Sequence, residues 1–327
     1  HRNPRHRNRT GPPANRPDTD CTCMPPTPTD PKHTLLGKGD YGRRFLTGQL
    51  DEFGGPPPPL PEQAPFHNTR EHRRFTEFAD TVRQNRYIGL CWGPPGVGKT
   101  LSARTYAGTD AYEQWRTPFS DELGPVPERV LQARTAFFTP TVAATVRQID
   151  QGLPRICQAI SWALDYAEHG VVDPYVHTES RSSGRTELLI IDEADRLKAT
   201  GLEQVRDYYD RHHMGVILIG MPGIEKRLAR YPQLYSRIGF AHEYRTLGPD
   251  ELTAVLDHRL PAPTEPAGDG GIARAAAIAA IVRTTGGNFR LVDRLLTQIR
   301  RIQAVNDLHA LTPETVDAAR ETMLIGH

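Results

Sequence analysis

The chain has 327 residues and a formal net charge of +1, from 40 Lys and Arg against 39 Asp and Glu, with 29 Pro and 28 Gly. This length allows one large domain or two smaller ones with a buried core, and the near-neutral balance excludes a polycation held to nucleic acid by bulk charge. Cys21, Cys23, Cys91 and Cys157 match no disulfide or metal-ligand spacing, no apolar run has bilayer length, and the arginine-rich start lacks a hydrophobic signal core. A soluble, cytoplasmic protein without membrane attachment is therefore expected.

Residues 1–66 form a Pro/Arg-rich extension that opens with the basic run His1 to Arg9 and includes Pro25-Pro26-Thr27-Pro28 and Gly54-Gly55-Pro56-Pro57-Pro58-Pro59. Such a composition buries too little apolar surface to fold alone. The extension is expected to be partly disordered, with Leu35, Leu36, Tyr41, Phe45 and Leu46 as the residues best able to anchor it. The basic run reads first as a solvated tail, and otherwise as a contact for phosphates or an acidic partner.

From Thr69 the pattern changes: Phe75, Phe78, Ala79 and Val82 recur at helical spacing, and the apolar run Tyr87 to Trp92 reads as a strand. Thr135 to Val142 is β-rich, and Leu153 to His169 is a helix with Ile156, Ile160, Ala163, Leu164 and Ala167 on one face. Glu187 to Ile191 is a buried strand, Leu202 to His213 a helix, and Gly215 to Gly220 another buried strand. Apolar strands without polar alternation, separated by helices, imply a parallel sheet covered on both faces. After Leu247 the pattern is all helical: Pro249–Leu260, Ile272–Thr284, Asn288–Val305 and Pro313–Leu324, with Thr312 as a cap and Pro313 at the first helical position. The fold class is α/β, with a core over 67–246 and a small all-α domain over 247–327.

Between the first strand and the helix after it runs Gly93-Pro94-Pro95-Gly96-Val97-Gly98-Lys99-Thr100, with Leu101 next on the helix. A glycine-rich turn in this context aims backbone N–H groups into one concavity, where they cradle nucleotide phosphates beside a helix N-terminus. Lys99 would meet the β- and γ-phosphates, and the Thr100 hydroxyl would hold Mg²⁺. Asp192 and Glu193 end a buried strand, at the edge where open parallel sheets place their ligands. Asp192 would share the Mg²⁺ with Thr100, and Glu193 would activate the water that attacks the γ-phosphate. ATP and Mg²⁺ are the ligands expected. Asp192-Glu193-Ala194-Asp195 also spells the signature of DEAD-box helicases, but only helical pattern follows Leu247, where such helicases carry a second sheet domain, and a Ser-Ala-Thr motif is absent.

This phosphate loop, the Asp-Glu strand end and the helical domain after the sheet resemble the AAA+ P-loop NTPases, with the helical part as their lid. On that resemblance Arg237, in Gln233-Leu234-Tyr235-Ser236-Arg237-Ile238, corresponds to the arginine finger offered to a neighbour's γ-phosphate. Arg290, in Gly286-Gly287-Asn288-Phe289-Arg290, corresponds to the lid arginine called sensor 2. Both would meet charge that develops as the phosphoryl group leaves. A finger acting in trans implies a head-to-tail homo-oligomer, either a ring or a helical filament.

The block Gly220-Met221-Pro222-Gly223 through Tyr235-Ser236-Arg237 is similar to transposition regulators of the TniB, TnsC and phage Mu B type. That resemblance implies an ATPase that assembles on double-stranded DNA, selects a target site and recruits or activates a transposase, with a target-selector protein as a further partner. It also places the DNA-facing segment at 139–154, where Arg147 would meet phosphate without reading sequence. One departure is plain: the position at the end of the Gly215 to Gly220 strand, which in the family carries Asn, Thr or Ser, offers only Gly220 and Met221. The alternatives are a replication initiator or helicase loader, and a non-hydrolysing nucleotide-dependent scaffold.

Overall fold

A computed structural model describes residues 66–116, 124–170, 184–260 and 269–323. The expected anchors Leu35, Leu36, Tyr41, Phe45 and Leu46, together with Cys21 and Cys23, lie outside the described residues.

The first helix, α1 (Arg70–Asn85), starts at Thr69, whose hydroxyl accepts from the His72 N–H at 3.2 Å. Strand β1 (Ile88–Trp92) leads through the glycine-rich loop into α2 (Lys99–Ala107). Then come α3 (Thr109–Arg116), α4 (Glu128–Ala133), β2 (Thr135–Phe138), α5 (Val146–His169) and β3 (Leu188–Ile191). A 3₁₀ turn (Ala194–Arg196) precedes α6 (Ala199–His212), β4 (Gly215–Gly220), the short α7 (Ile224–Leu228) and α8 (Pro232–Tyr235), and β5 (Ile238–Glu243). The helical part comprises α9 (Pro249–Arg259), α10 (Asp269–Thr285), α11 (Phe289–Val305) and α12 (Pro313–Glu321).

The five strands form one parallel sheet in the order β2-β3-β4-β1-β5. Because side chains alternate along a strand, Leu188 and Ile190 go to one face with Cys91, Ile217, Ile219 and the apolar side of α1. Leu189 and Ile191 go to the other with Leu90, Val216, Leu218 and α5. Each fully buried Leu or Ile contributes roughly 1.5–3 kcal/mol relative to exposure, so both faces drive folding. A third apolar cluster, with Leu252, Leu256, Ile281, Val292, Leu295 and Val316, holds α9 to α12 together.

Several expected elements shift. Helix α5 begins seven residues before Leu153, capped by Thr145 and Gln148 in a reciprocal capping box, and runs through Pro154. That proline leaves one intrahelical donor missing, which a 24-residue helix packed on the sheet tolerates. Its buried face is Ile149, Leu153, Cys157, Ile160, Ala163 and Leu164, whereas Ala167 is exposed. Strand β2 ends at Phe138, short of Val142. Strand β5 is absent from the sequence reading because it is an edge strand with alternating exposure, and so shows no apolar run. Thr312 caps α12 as expected, accepting from the Thr315 N–H at 3.4 Å.

Phe75 is completely buried between α1 and the sheet, with its ring 6.2–6.4 Å from those of Tyr106, His242 and Tyr244. Phe75→Ala is expected to lower the unfolding free energy by about 3–5 kcal/mol, read as a lower urea midpoint at unchanged slope.

Candidate functional site

The carboxyl ends of β1, β3 and β4 meet on one edge of the sheet, and there a cavity of about 540 Å³ opens between the glycine-rich loop, the segment after β3 and the start of α11. The loop lies tight against its surroundings. A Cβ on Gly93 would fall 2.1 Å from the Tyr244 carbonyl oxygen, so only glycine fits. Gly96 and Gly98 hold φ of 79° and 107°, left-handed values that side chains resist. Val97 turns its side chain into the core, leaving only its backbone for a ligand.

Lys99 is buried at the first position of α2, and its ammonium donates to the carbonyls of Gly93 at 2.6 Å and Pro94 at 2.8 Å. An ammonium has three donors, so the loop holds Lys99 in place and leaves one N–H for a ligand. Burial pushes its pKa below the usual lysine range, while the carboxylates of Asp192 and Asp195 act in the opposite direction and Arg290 adds to the lowering. Thr100 and Leu101 follow, both exposed and both lining the cavity.

Asp192 is buried and uses both oxygens: Oδ2 accepts from the Thr100 hydroxyl at 2.7 Å, and Oδ1 from the Glu193 N–H at 2.9 Å. Hydroxyl and carboxylate oxygens are hard donors suited to Mg²⁺, which keeps several waters and takes the rest of its shell from phosphates. No cage of three or more His, Cys, Asp or Glu gathers among the described residues. Glu193 sits at φ 50°, a left-handed conformation that costs a non-glycine residue about 1 kcal/mol. Its carboxylate forms an ion pair with Arg196, which in turn donates to the Pro140 carbonyl at 3.0 Å, just beyond β2.

The helical part docks onto the loop at the N-terminus of α11. Asn288 caps that helix, its Oδ1 accepting from the N–H groups of Arg290 at 3.1 Å and Leu291 at 3.3 Å, while its Nδ2 donates to the Pro95 carbonyl at 2.8 Å. The Arg290 N–H also reaches the Gly96 carbonyl at 3.2 Å. A side chain on Gly96 would collide with Asn288 and Arg290, so the glycine serves the docking as well as the turn. Arg290 and Arg294, one turn apart on α11, both line the cavity, as does Arg259, paired with Asp293 and lying 5.9 Å from the centre of the Phe289 ring.

Of the residues expected from sequence, the fold thus brings together Pro95, Gly96, Gly98, Lys99, Thr100, Leu101, Asp192, Glu193 and Arg290 around one cavity. Gly93 and Pro94 serve it through their carbonyls. Arg237 is not among the lining residues. It follows α8 and forms a two-pronged pair with Asp210 of α6 at 2.6 and 2.8 Å, and that hydrogen bonding holds the Asp210 carboxyl below its usual range. Arg147 is exposed on the first turn of α5, clear of the cavity lining. Sequence reading missed Asp195, Asn288, Arg259 and Arg294. Arg294 was signalled by its i+4 spacing from Arg290, and Asn288 by its place before a helix, whereas Arg259 reaches the cavity only through tertiary packing.

An AAA domain family matches residues 82–228. A Staphylococcus aureus protein described as a potential ATP-binding protein is 38% identical over 268 residues, covering 80% of this chain and 97% of its own length. Among solved structures, Aeropyrum pernix ORC2 in its ADPNP-ADP complexes aligns with a TM-score of 0.50 at 16% identity, over 80% of this chain and 70% of that one. The Thermotoga maritima RuvB Holliday junction branch migration motor gives 0.47 at 17% identity, over 83% and 70%. At 16% identity the likeness to ORC2 bears on fold alone. No helix among the described residues is long and apolar enough to cross a membrane. The parallel sheet with its phosphate loop and helical C-terminal part is an AAA+ P-loop NTPase fold, and the chain belongs to the AAA-domain family of the Staphylococcus aureus potential ATP-binding protein.

Proposed function

We propose that this protein is a cytoplasmic, Mg²⁺-dependent ATPase that assembles as a homo-oligomer on double-stranded DNA, marks a target site there and recruits or activates a transposase, with hydrolysis ending the assembled state. The observation that carries this reading is the separation of the two arginines. Arg290 lines the cavity with Lys99, Asp192 and Glu193, whereas Arg237 is held by Asp210 outside it. An Arg237 outside its own cavity supports a finger supplied in trans, which fits a ring or a filament. The reading takes 67–246 as the ATPase core, 247–327 as the lid and 1–66 as an extension.

Thr100 and Asp192 would hold Mg²⁺, which supplies charge neutralisation at the phosphates. Glu193 acts as the base for the attacking water once its pairing with Arg196 is released. The transposition branch rests on the Gly220 to Arg237 block, and the DNA contact on the 139–154 segment with its exposed Arg147. A non-hydrolysing, nucleotide-dependent scaffold is the second reading, favoured by the tie between Glu193 and Arg196. Tight ATP binding with no phosphate release, with or without DNA, would select it.

Electron microscopy with ATP and duplex DNA is expected to show oligomers for the wild type, none for Lys99→Ala, and longer-lived ones for Glu193→Gln. A wild type that stays monomeric on DNA at low salt would sink the assembly reading. Arg237→Ala is expected to keep ATP affinity within about twofold while losing at least about 100-fold in turnover, the scale of a missing transition-state cation. Arg196→Ala should raise basal phosphate release, because it removes the cation that holds Glu193. Unchanged or lower release would show that the ion pair does not restrain the base.

A further inference from the structure

The end of β4 lacks a polar side chain of its own, since Gly220 has none and Met221 is apolar. The structure supplies one from elsewhere. Asp195, in the 3₁₀ turn after β3, lines the cavity and reaches across to the end of β4, where its Oδ2 accepts from the Met221 N–H at 2.7 Å. This reach depends on Gly220: a Cβ there would lie 2.8 Å from Asp195 Oδ2 and 2.5 Å from the Ile224 side chain. The missing side chain and the carboxylate that replaces it are therefore two sides of one arrangement.

The turn that carries Asp195 is clamped. Arg227 of α7 donates to the Asp195 carbonyl at 2.7 Å and also to the Leu197 carbonyl. With Oδ2 committed to Met221, Oδ1 makes no hydrogen bond among the described residues and is not sealed in the interior, so it remains available to the cavity. Lys99 feels this carboxylate together with that of Asp192.

We infer that Asp195 holds the attacking water together with Glu193, doing with a carboxylate at the 3₁₀ turn what a polar side chain at the end of β4 would otherwise do. The chemistry of the group selects its target. An ionised carboxylate only accepts hydrogen bonds, as do the oxygens of a fully ionised phosphate, so Asp195 has no attractive contact to make with the γ-phosphate itself. A water molecule has two O–H groups: one is oriented by Asp195 Oδ1 and the other loses its proton to Glu193. Water is the nucleophile, the γ-phosphorus to bridging-oxygen bond breaks, and ADP and inorganic phosphate are the products. This inference rests on the hydrolysis reading above.

Asp195→Asn keeps an oxygen for the Met221 N–H and the volume of the side chain, but turns a donor toward the water. It is expected to leave the thermal midpoint unchanged and ATP affinity within about twofold of wild type and to lower kcat about 100-fold, the low end of the range for a positioned group acting in the transition state. Gly220→Ala, which pushes the carboxylate aside, should lower kcat in the same direction, and its fold is checked by the same melt. Wild-type kcat in Asp195→Asn would overturn the inference while leaving the ATPase reading intact. A loss of ATP affinity that matches the loss of kcat would overturn it in favour of a structural role. Absence of turnover in the wild type, with and without DNA, would overturn the hydrolysis reading and this inference with it.

Discussion

A parallel sheet buried on both faces has no solvated side on which polar chemistry can sit. Here β1, β3 and β4 are apolar throughout, and the charged groups appear only where those strands stop. Because the strands run the same way, their carboxyl ends share one edge, and the loops that leave them must share one space. Lys99 is distant in sequence from Asp192 and Asp195, yet all three line one cavity for this reason. The apolar core thus fixes where the charge is placed, and the helices that cover the sheet make that placement rigid.

The loop does not stand alone. Its carbonyls are shared out among fixed donors, with those of Gly93 and Pro94 going to Lys99, that of Pro95 to Asn288 and that of Gly96 to the Arg290 N–H. Satisfying these carbonyls within the protein leaves the loop's N–H groups as the open partners for an anion. Asn288 is the joint of this arrangement, since one side chain both caps α11 and grips the loop. The position of Arg290 at the start of α11 is therefore tied to the shape of the loop by hydrogen bonds a few ångströms long.

Much of this was legible in the sequence where the signal is local. The strand-loop-helix unit around Lys99, the Asp-Glu strand end and the Thr312 cap are set by neighbours in the chain, and each appears where its residues indicate. Elements decided by tertiary contact were harder to read. Strand β5 owes its existence to pairing with β1, and α5 begins seven residues before the expected Leu153, running through Gly152, because it packs along the sheet. In the site, the role of Asp195 was hidden because its hydrogen-bond partner lies 26 residues away, beyond a helix and a strand. The Gly220 position looked like a deficiency until its neighbour was known.

The pairing of Arg237 with Asp210 carries a consequence for how subunits would join in the proposed assembly. Two of the guanidinium's five N–H groups go to a carboxylate within its own subunit and a third to the Gln233 carbonyl, so a neighbour's phosphate would compete with Asp210 for its charge. The trade exchanges one anion for another, and its net free energy is smaller than either pairing alone. A diphosphate offers less charge in that competition than a triphosphate. Such an interface would have a threshold: it would form against one nucleotide state, yield when that state is lost, and leave Arg237 with a resting partner to return to instead of an exposed, unmatched charge.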